Sequence, residues 1–460
     1  MKKRRLISII AIAMITISVF AGCGKSEDTN GKVDKEVRIL TAVTGGKDEA
    51  EMKLFEEALE KGTGLQITME KPASDYDNVL MQKLQSGEKY DLIYIGQSQL
   101  ANLVEQEALT DITKYVEESE ILGNESIIPK SEWDLIRMDG KIYSGFNKKE
   151  VHRNVNINEV MAEKAGIKVN EIKPTLEGYY EVFKKMKENN TDPSFYPINA
   201  SFVKMYDLQP WFASLGLKGG IVKDGENNTV PWASDEAIPV WEWFNKLYSE
   251  GLLDPDSVTD TTKELRNKFQ TGKTGVIVDW AAWTGLYNVN AAESYPNDFK
   301  ATPLAGTKKS DGEFMLTRGE ASLWGVPSNS ENVEGAIKVL EYFASEEGSI
   351  LLSVGIEGND YTVEGDKYVL TADGEKHGKD HGAPVPINNE FVHPIGWNPG
   401  FEDAMNYLKY ATSEMSSPLK AKYEEIVSKH GVQIIKGSVD AETGLKAMRE
   451  ELKTAGVISN

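Results

Sequence analysis

Residues 37–42, Val-Arg-Ile-Leu-Thr-Ala, and residues 90–96, Tyr-Asp-Leu-Ile-Tyr-Ile-Gly, are short apolar runs of the kind that form buried strands. Between them, residues 48–61 carry apolar side chains at spacings of three and four, which predicts an amphipathic helix. A strand over 65–69 and a helix over 74–85 complete the order strand, helix, strand, helix, strand. Strands that alternate with helices of this length predict an α/β fold, with a mainly parallel sheet flanked by helices.

The rest of the chain continues this alternation and contains no internal repeat. Its patterns predict helices over 158–165, 175–188, 237–248, 263–269, 333–344 and 401–410. They predict strands over 141–144, 196–200, 275–279 and 322–326.

The composition of the chain limits its size class and its partners. The 460 residues carry a formal net charge of −21, which argues against a nucleic-acid partner because phosphates need a basic surface. Hydrophobic residues make up 40%, so the chain can bury a large core, and its length predicts two or three domains. A single cysteine excludes disulfides within the chain and thiolate metal clusters.

That cysteine follows an export signal. Residues 2–5 are basic, residues 6–20 are apolar, and Ala21-Gly22-Cys23 resembles a bacterial lipobox, although Phe20 stands where Leu is usual. We therefore expect residues 1–22 to be a lipoprotein signal peptide and Cys23 to be acylated. Residues 23–35 are polar and predict a flexible tether. The expected location is the outer face of the cytoplasmic membrane, where the lipid holds the mature chain.

Signatures of enzymes and metal sites are incomplete. Gly272-Lys273-Thr274 lacks the glycine that begins a P-loop. His377 and His381 are four residues apart, but the nearby glycines favour a loop over a metal-binding helix face. The carboxylates Asp254, Asp256 and Asp260 lack the glycine of a calcium loop. We expect no metal and no cofactor, while a glycosidase pair among the 72 acidic residues stays open.

Aromatic residues follow the predicted strand 275–279. Asp279, Trp280 and Trp283 stand at its carboxyl end, where open α/β sheets bind their ligands. Indole faces pack on the C–H faces of sugars and carboxylates accept hydrogen bonds from hydroxyls, so this group suits a carbohydrate. Ordinary core packing is the alternative for each indole.

Ordered motifs along the whole chain resemble one family. They are Tyr90–Ile95 followed by Leu103–Ile112, Gly166 followed by Pro174–Glu177, Phe269–Val276 with its Phe-x-x-Gly-Lys, Gly355–Tyr361, and Val432–Gly437. The sequence resembles a bacterial extracellular solute-binding protein of family 1, the lipoprotein receptor of an ABC sugar importer. The last two motifs resemble its branch linked to plant-polysaccharide oligosaccharides.

The resemblance implies a periplasmic-binding-protein-like clamp of two lobes, each a mainly parallel sheet flanked by helices, with three hinge crossovers. The N-terminal lobe would take residues 36–147 and 280–345, and the C-terminal lobe residues 148–279 and 346–460, with crossovers near Phe146, Asp279 and Ala344. A carbohydrate, expected to be an oligosaccharide, would bind between the lobes of a monomer. Closure would present a surface to the permease subunits, and the family performs no catalysis.

Site residues carried over by position follow the ends of strands or lie in loops. They are Thr44, Gln97 and Ser98 in the first lobe; Asp279, Trp280 and Trp283 at the crossover strand; and Asn199, Tyr206, Trp211, Trp397 and Asn398 elsewhere. The alternative function is a lipid-anchored extracellular glycoside hydrolase or lyase. An enzyme would turn an oligosaccharide over, whereas a receptor would leave it intact.

Overall fold

The computed structural model describes residues 36–42, 49–203, 205, 207–294, 297–381, 385–414 and 417–459. The predicted signal peptide and tether, and with them Cys23, lie outside the described residues, as do Thr44 and Tyr206. Among the described residues, no helix is both long enough and apolar enough to cross a bilayer.

Strands and helices alternate along most of the chain. The strands are β1 (Glu36–Leu40), β2 (Gln66–Glu70), β3 (Leu92–Gly96), β4 (Ser144–Lys148), β5 (Arg153–Asn158), β6 (Tyr196–Ile198), β7 (Val222–Asp224), β8 (Asn227–Thr229), β9 (Thr274–Trp280), β10 (Ala301–Leu304), β11 (Leu316–Arg318), β12 (Ser322–Gly325), β13 (Tyr361–Glu364), β14 (Lys367–Leu370) and β15 (Ala411–Ser413). The helices are α1 (Glu49–Thr63), α2 (Tyr76–Ser86), α3 (Gln97–Glu105), α4 (Thr113–Glu118), α5 (Lys130–Ile136), α6 (Glu159–Lys164), α7 (Leu176–Glu188), α8 (Gln209–Phe212), α9 (Ile238–Ser249), α10 (Thr262–Gln270), α11 (Ala281–Ser294), α12 (Val333–Ala344), α13 (Glu346–Ser353), α14 (Ala372–His381), α15 (Phe401–Met405), α16 (Lys420–Ile435) and α17 (Ala441–Thr454).

The first lobe is built on a five-stranded sheet in the order β2-β1-β3-β12-β4. β1 pairs in parallel with β2 and β3, and β12 runs antiparallel to β3 and β4. All strands except β12 therefore point the same way. Helices α1 and α12 pack on this sheet and on each other, and α12 begins where the Asn332 side chain accepts the Gly335 N–H at 2.9 Å.

The second lobe is built on a four-stranded sheet in the order β10-β5-β9-β6. β9 is parallel to β6, and β5 is antiparallel to β9 and β10. All strands except β5 therefore share one direction. A separate apolar core, which includes side chains of α7, α9, α16 and α17, packs with this sheet. The expected two-lobed α/β clamp is confirmed.

The first passage between the lobes takes residues 149–152 between β4 and β5, whereas the boundary predicted after residue 147 falls inside β4. The boundary predicted between residues 279 and 280 is wrong. β9 leads into α11 and then β10, and β10 pairs with β5 in the second sheet. The chain returns to the first sheet only at β12, so the second passage takes residues 305–321.

The third passage also lies later than predicted, because residues after 345 still belong to the first lobe. α13 packs against α12 and α1, and Leu351, Ile356 and Ile387 bury their side chains in the first core. α15 then packs against α11 and β10 in the second lobe. The apolar face of α13 keeps the chain on the first lobe, and the passage takes residues 388–400.

Hydrogen bonds join the passages into one hinge region. The Gly319 N–H donates to the Val151 carbonyl at 2.9 Å, and the Lys149 N–H donates to the Val385 carbonyl at 2.7 Å. The Lys149 ammonium also donates to Asn389 Oδ1 at 2.5 Å. The lobes are therefore connected through a short hydrogen-bonded hinge, which positions the cavity described below.

Candidate ligand-binding site

A cavity of about 190 Å³ lies between the lobes beside the hinge. Side chains from the first lobe, the passages and the second lobe line it: Gln97, Glu150, Arg153, Trp280, Thr317, Arg318, Gly319, Glu320, Glu414 and Lys420. Its volume is below the roughly 300–1,000 Å³ typical of ligand pockets. A ligand larger than the cavity must therefore extend along the cleft or move the lobes apart.

Trp280 gives the cavity its aromatic surface. It is the last residue of β9, and its half-buried ring lies under the Arg153 guanidinium, whose Cζ is 4.4 Å from the ring centroid. A Cβ atom at Gly319 would come within 2.6 Å of Trp280 Cζ3, so the glycine leaves room for the ring. Contacts with Arg153 on one side and Gly319 on the other therefore hold the Trp280 ring at the cavity.

Arg153 is held from behind by a buried carboxylate. Its Nη1 donates to Asp207 Oδ1 at 2.6 Å, and the Ser201 N–H donates to Asp207 Oδ2 at 2.7 Å. Burial raises the pKa of Asp207 to about 6, although Arg153 acts in the opposite direction. The pair orients the guanidinium over Trp280.

Lys420, the first residue of α16, is surrounded by carboxylates. Its ammonium forms an ion pair with Glu320, lies 3.3 Å from Glu414 and lies 3.9 Å from Glu424. Burial alone lowers the pKa of Lys420, but Glu414 and Glu320 outweigh burial and raise this pKa above its ordinary value. Lys420 therefore stays charged and bound to these acids.

The hinge side of the cavity is polar as well. Arg318 donates to Glu132 at 2.5 Å, which links the second passage to α5 of the first lobe. Glu150 is largely buried, and burial raises its pKa, with Lys148 at 3.9 Å opposing the shift. Gln97 donates to the Leu135 carbonyl at 2.9 Å and accepts the Ala321 N–H at 3.1 Å.

The structure brings some predicted residues to this site. Gln97 and Trp280 line the cavity, and Ser98 follows Gln97 in α3 without lining it. Trp397 packs on the apolar cluster of Val151, Ala281, Phe401 and Ala404 that also contacts Trp280. Asn398 lies beside this cluster, where its carbonyl accepts the Phe401 N–H at 3.1 Å.

Other predicted residues have structural roles, which corrects their assignment. Trp211 is fully buried in the second core, 5.0 Å from Tyr179 and 5.3 Å from Trp243 between ring centroids. Asn199 is fully buried too, and its Nδ2 donates to the Leu265 carbonyl and to Thr274 Oγ1. Both side chains are enclosed by the second lobe and do not line the cavity.

Asp279 and Trp283 also take part in a structural cluster. The Asp279 carboxylate accepts two hydrogen bonds from Arg266, each at 2.7 Å, and one from the Tyr287 hydroxyl at 2.7 Å. The Arg266 guanidinium lies 3.7 Å above the Trp283 ring. The ion pair engages the Asp279 carboxylate and covers one face of Trp283, so neither lines the cavity.

Sequence reasoning missed the charged residues of the cavity. Glu150 lies in the first passage and Arg153 directly follows it, so charged residues beside a predicted crossover are a signal that was available. Lys420 and Glu320 are 100 residues apart in the chain, and no local pattern connects them. Only the folded structure brings them together.

No group of three or more potential metal ligands is arranged around a cation site in the described parts of the chain. The Lys268 ammonium lies among Asp254, Asp256 and Asp260, at 2.9, 3.0 and 2.7 Å. The segment predicted as a loop around His377 is helix α14, and His377 contacts Glu51 and Asp360 at 2.9 and 2.6 Å.

Comparison with known proteins places these features in context. Residues 42–350 match the family model described as bacterial extracellular solute-binding protein. Lipoprotein LipO from Bacillus subtilis is 22% identical over 386 residues, which cover 79% of this chain and 74% of that protein.

Solved structures of similar fold cover nearly the whole chain. The sugar-binding protein MalE from Xanthomonas citri matches with a TM-score of 0.69 and 13% identity, over 91% of this chain and 97% of that one. A solute-binding protein from Thermotoga lettingae bound with α-D-tagatose has a TM-score of 0.67 and 15% identity, over 92% and 99%. The alginate-binding protein AlgQ2 without calcium ion has a TM-score of 0.66 and 18% identity, over 92% and 96%.

Proposed function

The chain belongs to the bacterial extracellular solute-binding protein family, and from this premise we propose that it captures an oligosaccharide between its lobes for an ABC importer. The cavity beside the hinge is the observation that carries the proposal, because it joins an indole face to polar side chains from both lobes. Indole faces pack on sugar rings, and carboxylates and amides bind hydroxyls. The closed, sugar-bound monomer then delivers its ligand to the permease subunits.

Thermal unfolding with a panel of oligosaccharides tests the proposal. A bound sugar raises the melting temperature with its concentration, because it binds the folded state and not the unfolded chain. Mass spectrometry of the same mixture then shows whether the sugar is intact. A stabilising sugar recovered intact supports the receptor, whereas a shortened or eliminated product supports the alternative, a glycoside hydrolase or lyase.

We also propose that the mature protein is anchored to the outer face of the cytoplasmic membrane through an acylated Cys23. The support is the basic, apolar and small-residue order of residues 2–23. One lipid chain binds only marginally, so stable retention needs multiple acylation.

The Cys23→Ser variant tests the anchor. The mature form of this variant is expected in the soluble fraction of cells, while the unchanged chain sediments with membranes. Membrane retention of a correctly cleaved Cys23→Ser protein would contradict the lipid anchor.

A further inference from the structure

The three basic side chains that line the cavity, Arg153, Arg318 and Lys420, are each bound by acids of this protein. Arg153 binds Asp207, Arg318 binds Glu132, and Lys420 lies among Glu320, Glu414 and Glu424. Behind them in the hinge, Lys148 faces Glu150 and Lys149 donates to Asn389. A carboxylate on a ligand would therefore meet an internal acid that is already bound to each of the three cations lining the cavity.

Competition at Lys420 is unfavourable for an acidic ligand. The side chains of Lys420 and Glu414 are only 15% and 16% exposed, so a displaced Glu414 carboxylate would stay largely out of water. It would then lose its cation and face the carboxylate of the ligand at short range. Glu150, which also lines the cavity, would add to this repulsion when ionised.

Sugar hydroxyls meet none of these costs. An ionised carboxylate only accepts hydrogen bonds, and a hydroxyl donates one, so Glu320 and Glu414 can accept from a sugar while they hold Lys420. The half-buried Trp280 ring supplies the apolar surface for the C–H face of the same sugar.

We propose that this site selects neutral, hydroxyl-rich sugars against uronic acid sugars, and that Glu320 and Glu414 set the selectivity by holding Lys420. This inference rests on the proposed oligosaccharide function. It restricts the ligand to uncharged sugars, and it gives Glu320 and Glu414 a role in selecting them.

A competition experiment tests the ligand class. The mature chain is equilibrated with equal amounts of neutral tetrasaccharides (of glucose, galactose, mannose and xylose) and acidic ones (of galacturonate and mannuronate), and the retained sugars are identified by mass spectrometry. Retention of neutral sugars alone supports the inference. Retention of an acidic sugar at equal or higher occupancy overturns it and leaves the oligosaccharide function standing. If no sugar is retained, the oligosaccharide function is overturned and this inference with it.

The double variant Glu320→Gln and Glu414→Gln tests the determinants. It removes two of the three carboxylates around the Lys420 ammonium and leaves Glu424 at 3.9 Å, so a ligand carboxylate meets less competition for Lys420, and the affinity for the acidic tetrasaccharides is expected to rise roughly tenfold or more. Glu425→Gln is the matched control, because Glu425 pairs with Lys422 and its side chain is 66% exposed. An unchanged affinity for acidic sugars in the folded double variant would overturn the assignment. If melting shows that the double variant is unfolded, Glu320→Gln alone serves as the test, with the same expected direction.

Discussion

Trp280 and Trp283 follow the same strand, yet the structure gives them different surroundings. The Trp280 ring borders the cavity and touches Arg153, whereas the Trp283 ring lies under Arg266 and packs against the cluster around Tyr287. The sequence predicts both as sugar platforms, because strand ends do not reveal which way a helix then turns. The first turn of α11 carries Trp283 away from the cavity.

Replacing Trp280 with Ala is expected to weaken sugar binding by about 1–3 kcal/mol, because it removes the only indole that lines the described cavity. This corresponds to roughly a five- to hundredfold higher dissociation constant. Trp283→Ala serves as the comparison and is expected to lower stability with little effect on affinity. Calorimetric titration beside denaturant curves separates the two effects, and equal affinity losses would contradict the assignment.

Lys268 occupies the centre of the acidic group Asp254, Asp256 and Asp260, whose sequence lacks the glycine of a calcium loop. Burial lowers the pKa of Lys268, but Asp260 and Asp254 outweigh burial and raise this pKa above its usual range. Lys268→Met leaves Asp254, which is buried, without this cation. We expect a loss of about 2–3 kcal/mol, below the 3–5 typical of breaking fully buried pairs because Lys268 is 25% exposed.

Urea unfolding measures this loss, and Lys273→Met is the matched control. Lys273 pairs with Asp192 on the surface, where its side chain is 49% exposed, so its loss is expected to be below about 1 kcal/mol. The effect of Lys268→Met is expected to be smaller in acid than at pH 7, because burial raises the pKa of Asp260 and protonation of this carboxyl removes one of the negative charges that Lys268 neutralises. Similar losses of unfolding free energy in both variants at pH 7 would show that the buried Lys268 cluster contributes no more to stability than the surface pair.

The apolar spacing within a segment predicts the bounds of single helices and strands well. The helix predicted over 333–344 is confirmed as α12 with the same bounds, because its apolar spacing begins after the capping side chain of Asn332. The strand predicted over 275–279 is confirmed as β9. The lobe boundaries at 279/280 and 345/346 are not local, since they depend on which sheet β10 pairs with and which core α13 covers. Patterns within one element contain no such information.

The first passage contains a buried histidine, His152, whose lowered pKa is expected to make the folded protein less stable in acid. His152 is fully buried between Val151 and Arg153, and burial lowers its pKa to about 4, with the backbone of Ala404 opposing the shift and Arg318 adding to it. In the unfolded chain its pKa returns to about 6.5. Between about pH 4 and about pH 6.5 the unfolded chain binds more protons than the folded protein. The free energy of unfolding is therefore unaffected by His152 above about pH 6.5 and falls as the pH drops toward about 4.

The His152→Phe variant tests this coupling, because phenylalanine keeps an aromatic ring and does not titrate. Between pH 7 and pH 5, the unchanged protein is expected to lose about 2 kcal/mol more unfolding free energy than the variant. Denaturant curves at the two pH values measure this difference within each protein, so a general packing defect of the variant cancels. Parallel losses in both proteins would remove His152 as the source.

For the whole molecule, the hinge and the small cavity together predict a change of lobe arrangement on binding. The cavity of about 190 Å³ does not enclose an oligosaccharide, while the two apolar cores lie in separate lobes. Rotation at residues 149–152, 305–321 and 388–400 is expected to change the cleft without breaking either core. A sugar shifts this equilibrium only if it binds the closed arrangement more tightly than the open one.

Small-angle scattering with a saturating neutral tetrasaccharide identified in the competition experiment measures this change. The radius of gyration is expected to differ between the free and the sugar-bound protein, since Trp280 of the second lobe and Gln97 of the first line one cavity of about 190 Å³, and an oligosaccharide fits between them only if the lobes change their separation. Trp280→Ala at the same sugar concentration is the control. Because this variant binds the sugar more weakly, its scattering profile is expected to stay closer to that of the free protein. Calorimetry confirms that the unchanged protein is saturated in the scattering sample. Identical profiles with and without bound sugar would mean that the lobes do not move, and capture would then require a cleft already open to the ligand.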